Sequence, residues 1–276
     1  MSAREDASEL PPKPAGEAAA FTRLLPAGEA ADASQIVDGF ELGKRAQTAA
    51  ARPYLILNMV STLDGRASLG GRSGPIGNRA DRELFHALRA NVDAVMAGAG
   101  TVRVERYGRI IPDAATRERR VERGLGAEPL ACIVSARLSL PGDTPLLNEP
   151  EAHVVIVTPS AASLTGAGAQ IEYVRAGSDG RLDLRLAMGE LSKRFGVRTL
   201  LCEGGPHLNA ELLQAGLVDE LFLALAPKLT GGEDITGEAL RIVAGVAFEQ
   251  PLELELLGAF ENESHLFLRY GVLRSA

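Results

Sequence analysis

From Tyr54 onward the chain alternates between short apolar runs and polar, glycine-containing stretches. YLILNMV (54–60), VDAVMAG (92–98), LACIVS (130–135), HVVIV (153–157), QIEYV (170–174), RTLLCEG (198–204) and ELFLALAP (220–227) are all of strand length. Runs so rich in Val, Ile and Leu predict strands covered on both faces, and hence a largely parallel sheet. Two later segments, LELELLG (252–258) and HLFLRYGVL (265–273), alternate instead, with Leu252, Leu254 and Leu256 on one side. They predict an antiparallel hairpin joined through Glu261–Glu263. A helix is expected over 79–90, capped by Asn78, with Asp81 and Glu83 in its first turn and Leu84, Phe85 and Leu88 as its apolar stripe. Others are expected near 182–195 and 207–215, the latter stopped by Gly216. The fold class is therefore α/β, a mixed, mostly parallel sheet flanked by helices with a C-terminal antiparallel hairpin.

Ahead of this pattern, residues 1–20 are polar, Pro-rich and Ala-rich, and are expected to form a mobile tail. Residues 21–50 carry enough apolar positions to dock as an extension on the domain formed by 51–276. The 276 residues are 46% hydrophobic, enough for one substantial core, and the net charge of −7 argues against a nucleic-acid binder. Cys132 and Cys202 sit inside apolar runs and read as buried thiols, and neither they nor the four histidines have zinc spacing. No apolar stretch is long enough to span a membrane, and the first twenty residues lack a signal core, so a cytoplasmic protein is expected.

Four loops combine glycine with polar residues just after a strand, where open α/β sheets bind ligands. The first, 58–82, contains Asp64-Gly65, Gly70, Gly71, Gly74 and Gly77, and reads as a turn or as a lid over a ligand. In the helix that follows, Arg82, His86 and Arg89 fall on one face, which is either solvated or reads a phosphate or carboxylate. Next comes Gly98-Ala99-Gly100-Thr101, where glycines let backbone N–H groups approach a pyrophosphate. Arg103 stands at the third glycine position of the dinucleotide fingerprint, so that motif is incomplete. Last, Glu203-Gly204-Gly205-Pro206 opens a helix whose N-terminus suits a phosphate, and Glu203 reads as a helix cap or a substrate acceptor. Ser135 and Arg137, after the 130–135 strand, suit the 2′-phosphate of NADPH. The basic run 116–124 reads as a solvated helix or loop, and Lys228 as structural.

Together NMVSTLDGRAS, LRANVDAVMAGAGTV, CEGGPHLNAELL and DELFLALAPKLTGG resemble the reductase domain of the riboflavin-pathway deaminase–reductase family, over roughly residues 52–272. That resemblance implies a dihydrofolate-reductase-like fold, usually dimeric. It also implies hydride transfer from NADPH to the ribosyl group of 5-amino-6-(5-phosphoribosylamino)uracil. Carried over by motif, Val60, Gly98, Gly100, Thr101 and Glu105 would line the nucleotide site. Gly204, Gly205, Pro206, His207 and Leu208 would hold its phosphates, and Ser135 and Arg137 its adenosine end. Asn58, Ser73, Arg89 and Glu203 would face the substrate, with Asp64 and Glu203 as the candidate catalytic carboxylates. Three departures stand out. Asn58 replaces the family's lysine, and Gly74-Pro75 replaces a bulkier element. The zinc deaminase signature is absent, so a deaminase step is expected to belong to another protein. A same-fold reductase acting on a dihydropterin or dihydrofolate, and a non-catalytic nucleotide-binding protein, are the competing readings.

Overall fold

The computed structural model describes residues 20–25, 27–48, 51–231, 240–245 and 247–273. Apart from Ala20, the expected mobile tail lies outside them. In chain order the elements are β1 (Thr22–Leu25), α1 (Ala33–Asp38), α2 (Leu42–Arg45), β2 (Tyr54–Thr62), α3 (Arg79–Ala90), β3 (Ala94–Gly98), α4 (Ala99–Val104) and α5 (Ala114–Glu122). They continue as β4 (Leu130–Val134), β5 (His153–Thr158), β6 (Gln170–Arg175), β7 (Gly177–Ser178), β8 (Arg181–Leu182), α6 (Leu184–Phe195) and β9 (Thr199–Cys202). The chain ends with α7 (Pro206–Gln214), β10 (Glu220–Ala226), β11 (Leu254–Asn262) and β12 (His265–Val272).

Ten of the strands form one sheet in the order β1-β11-β12-β10-β2-β9-β3-β4-β5-β6, while β7 and β8 make a separate ribbon. From β10 to β6 every pairing is parallel, and β10–β12, β12–β11 and β11–β1 are antiparallel. The mixed, mostly parallel sheet read from the apolar runs is therefore present. Its two faces are buried separately. Ile56, Val95, Ile133 and Ile156 pack with Leu84 and Leu88 of α3 and with Ile36 and Val37 of α1. Leu55, Leu57, Met96 and Val155 pack on the opposite side with Leu184 and Met188 of α6 and Leu212 of α7. Successive residues of a central strand thus feed opposite cores, which is why these strands are apolar throughout. Cys132 and Cys202 are buried, on strands separated by β3, and burial pushes both thiols up.

The hairpin departs from its pattern in two ways. Pairing shifts register between Leu256 and Gly258, and Leu254 and Leu256 stay 39% and 40% exposed while Ala259 and Phe260 turn inward. A bulge of this kind changes which side chains face the core. The turn itself lies at Glu263 and Ser264, both with left-handed φ, rather than at 261–263. On the outer edge, β1 pairs with β11, and the adjacent Phe21 is fully buried, edge-on to Phe267 with ring centroids 5.0 Å apart.

Two buried ionic groups brace the sheet. Arg269 donates through Nε and Nη2 to both oxygens of Glu220, which also accepts from Tyr54. The basic run 116–124 was expected to be solvated, but Arg120 is 1% exposed. Its guanidinium donates to the carbonyls of Arg89 and Val92, behind α3, and of Gly126, and burial lowers its pKa to about 10. Position in the fold, rather than local charge density, decides its role. Among the described residues, no helix is long and apolar enough to cross a membrane, and no group of three or more His, Cys, Asp or Glu could hold a metal.

Candidate functional site

The neighbouring parallel strands β2, β9 and β3 end together, and their exits build the site. β3 runs into α4 with Gly98 as N-cap, and β9 runs into α7 with Gly205 as N-cap. The two exits are tied by the Gly98 N–H donating to the Gly204 carbonyl at 2.7 Å and the Glu203 N–H donating to the Met96 carbonyl at 2.9 Å. Gly204 has φ +92, a region that favours glycine, and a Cβ on Gly205 would lie 3.1 Å from the Thr101 hydroxyl. Among the described residues no side chain caps α7; Pro206, its first residue, has no N–H, and the N–H groups that follow it have no side-chain cap.

A cleft of about 1610 Å³ runs along these exits. Gly98, Gly100, Thr101 and Glu105 line it, as do all five residues from Gly204 to Leu208. The β7–β8 ribbon and the start of α6 also line it, with Arg181 and Arg185 in the wall. The expected adenosine contacts differ. Val134 and Ala136 line the cleft, whereas Ser135 is buried behind them with its N–H on the Val157 carbonyl, and Arg137 is absent from the wall. β4 ends at Val134, and the turn that follows brings Ala136 rather than Ser135 to the cleft.

A smaller pocket of about 340 Å³ opens beside the cleft, lined by Asn58, Val60, Asp81, Arg82, Arg89 and Tyr107 among others. Val60, expected at the nucleotide, lines only this pocket of the two. Met59, Ser73, Thr101, Glu105 and Glu203 line both spaces and mark their junction. Ser73 is fixed there by Glu105, whose Oε1 accepts from the Ser73 N–H at 2.8 Å and its hydroxyl at 2.9 Å.

Glu203 does not cap the following helix. It forms a two-pronged pair with Arg89, Nε to Oε1 and Nη2 to Oε2, both 2.7 Å, with the two side chains 9% and 3% exposed. Tyr107 donates its hydroxyl to Glu203 Oε2 at 2.5 Å. Burial, and then the Glu203 carboxylate, push the Tyr107 phenol well above its ordinary range, so it stays a donor. Burial alone would lower the Arg89 pKa, but Glu203 outweighs it and the pKa is raised. The expected basic face of α3 is therefore divided. Arg89 is sealed against Glu203, Arg82 lines the small pocket, and His86 faces a crevice beside α1 and α5.

Asp64 lies outside both spaces. Its carboxylate accepts from the Thr62 hydroxyl and from the N–H groups of Thr230 and Gly231, which hold its pKa below the usual carboxylate range. A carboxylate so held clasps the glycine-rich loop to the segment after β10 and is unsuited to donating a proton at the pocket. Lys228 completes the clasp, donating from Nζ to the Pro75 and Ile76 carbonyls. Tyr107 and Asp81 are among the site residues that the sequence did not assign, with Met59, Arg106, Arg181 and Arg185. Tyr107 lies outside the glycine motifs, and Asp81 reads from sequence only as a helix-dipole partner.

A family model, the RibD C-terminal domain, matches residues 53–265. A 2,5-diamino-6-ribosylamino-4(3H)-pyrimidinone 5′-phosphate reductase from Methanothermobacter thermautotrophicus is 31% identical over 80% of this chain and 99% of its own length. One of the same name from Archaeoglobus fulgidus is 32% identical over 66% of this chain and 84% of its own. Among solved structures, Acinetobacter baumannii RibD superposes with a TM-score of 0.64 at 26% identity, over 82% of this chain and 60% of that one. A pyrimidine reductase-like protein from Corynebacterium diphtheriae shares the fold with a TM-score of 0.68 at 24% identity, over 88% of this chain and 99% of that one.

Proposed function

The chain belongs to the RibD C-terminal domain family, and on that premise we propose that it is an NADPH-dependent reductase of riboflavin biosynthesis. It converts the ribosyl group of a 6-ribosylaminopyrimidine 5′-phosphate to a ribityl chain. The first candidate substrate is 5-amino-6-(5-phosphoribosylamino)uracil; the diaminopyrimidinone phosphate in the names of the relatives is its amino counterpart. The proposal includes a homodimer in the cytoplasm, as the family resemblance implies.

The observation that carries this reading is the junction, at Met59, Ser73, Thr101, Glu105 and Glu203, of a long cleft with a small pocket whose wall includes several charged side chains. A dinucleotide fits the cleft on physical grounds. Gly205 brings backbone close to Thr101 where a side chain would crowd it, and the α7 N-terminus, which no described side chain caps, favours phosphate. Gly98, Gly100, Thr101 and residues 204–208 would hold the phosphates, with Arg181 and Arg185 as cations in the cleft wall. When bound, the nicotinamide supplies the hydride.

The protein's own contribution is positioning and electrostatics. Glu203, locked by Arg89 and Tyr107, gives the junction a rigid polar wall. Ser73, held by Glu105, fixes the glycine-rich loop against it. Because Arg89 is engaged by Glu203, the substrate phosphate falls to Arg82 and Arg106, exposed cations lining the small pocket. Asn58 offers hydrogen bonds in place of the family's lysine, so this pocket has one positive charge fewer at that position.

The test is loss of NADPH absorbance with the uracil and diaminopyrimidinone ribosyl phosphates, run beside dihydrofolate. Turnover of a ribosyl phosphate alone supports the proposal. Turnover of dihydrofolate alone transfers the chain to another substrate within the same fold, and NADPH binding with no turnover overturns the substrate assignment.

A further inference from the structure

Reduction of the ribosyl group needs one proton as well as the hydride. C1′ accepts the hydride and its two electrons, the C1′–O4′ bond breaks with its pair on O4′, and O4′ takes a proton. The cofactor is oxidised, and the proton donor is restored from water. Three carboxyl groups line the small pocket: Asp81, Glu105 and Glu203. Glu203 accepts from Arg89 at both oxygens and from Tyr107, which hold it as the charged partner of Arg89, and Glu105 accepts two hydrogen bonds from Ser73 at Oε1. Tyr107 already donates its proton to Glu203.

Asp81 differs from all of these. It sits in the first turn of α3, where Asn78 accepts its N–H, and no described residue hydrogen-bonds its carboxyl. The carboxyl leans over Gly77, where an added Cβ would come within 2.1 Å of Oδ2. Resting on the reading above, we propose that Asp81 is the catalytic acid, donating its proton to the oxygen released from the reduced carbon.

Burial raises the Asp81 pKa to about 6, against a smaller lowering by Arg82. The other charged groups around the pocket are Arg89 with Glu203, Glu105 at the junction, and Arg106 in the wall of the same pocket. Lys228, at the exit of β10, is pinned to the Pro75 and Ile76 carbonyls. The acid form of Asp81 is present below about pH 6 and is lost above it, so a step that needs it slows as pH rises through that range.

Asp81→Asn keeps size and polarity but cannot donate the proton. It is expected to lower kcat by roughly 10²- to 10⁴-fold, with the Kd for NADPH unchanged and the alkaline fall in kcat abolished. Gly77→Ala is a second variant that displaces the same carboxyl without removing it. It should lower kcat in the same direction, because the group that must move is the flexible end of a side chain. Wild-type kcat and pH profile in Asp81→Asn would overturn the proposal. An independent arm needs no turnover: the infrared difference between wild type and Asp81→Asn should contain a protonated carboxyl band that titrates near pH 6. Absence of that band above pH 5 also overturns it. If the band is present but no ribosyl phosphate is reduced by wild type, the substrate reading fails while the acidic group stands.

Discussion

Arg89 shows how one residue's neighbours redefine its chemistry. On the helix it reads as a surface cation available to a phosphate, yet its guanidinium is buried against Glu203 and faces the rings of Phe85 and Tyr107, 4.0 and 5.3 Å from their centroids. A buried pair of this kind is a poor source of net stability, because desolving both charges offsets their attraction. Removing one partner is different, since the other is left buried and uncompensated. Arg89→Ala is therefore expected to destabilise the fold by about 3–5 kcal/mol in denaturant titrations. Adding Glu203→Gln should recover part of that loss. In the fraction that folds, Arg89→Ala should weaken substrate use far more than NADPH binding, because Arg89 lines the small pocket and not the cleft. Equal loss of both would contradict that placement.

At the scale of the element, α3 combines a sound local design with one costly position. Asn78 caps it by accepting the Asp81 N–H, and Leu84 and Leu88 bury its apolar side. These features are local, and the sequence predicts them with the right boundaries. The position of Asp81 in a desolvated pocket is not local, because it depends on how α3, the glycine-rich loop and β2 meet. For the same reason Tyr107 could not be assigned, and Ser135 could not be separated from Val134 and Ala136 without knowing which way the strand faces. The cost at Asp81 is measurable. Its carboxyl titrates from the ordinary 3.8 in the unfolded chain to about 6 in the native one. The native state therefore binds more protons between these values, and stability falls as pH rises from about 4 to 6. Asp81→Asn removes this dependence and should raise stability above pH 6 by about 2–3 kcal/mol, with little effect below pH 4. A thermal unfolding series across pH would show it, and equal shifts at all pH values would contradict it. Greater stability with lost turnover is the pattern expected where activity requires an unfavourable group.

Over the whole molecule, continuous apolar runs predict a parallel sheet buried on both faces, and the alternating pair predicts the antiparallel edge. Strand order was not legible, because it depends on pairings far apart in sequence. Nor was the extension of the sheet by residues 22–25, a segment of only four residues followed in sequence by Pro26. The structural weight of that segment rests on Phe21, which fills the space beside Phe267. Phe21→Ala is expected to cost about 3–5 kcal/mol, read as a fall in the denaturant midpoint at constant m-value. A change below 1 kcal/mol would mean that the edge strand contributes little to the fold.

The strand order also sets a timetable during synthesis. β1 is made early, but its partner β11 is the second-to-last strand, with Thr22 facing Glu261. Likewise, β2 must wait for both neighbours, β9 and β10. The pocket walls from β2 and α3 thus leave the ribosome long before the Glu203 strand that closes them. Until then, both edges of β2 lack their partner strands, which makes the nascent chain dependent on late, distant contacts and exposed to aggregation.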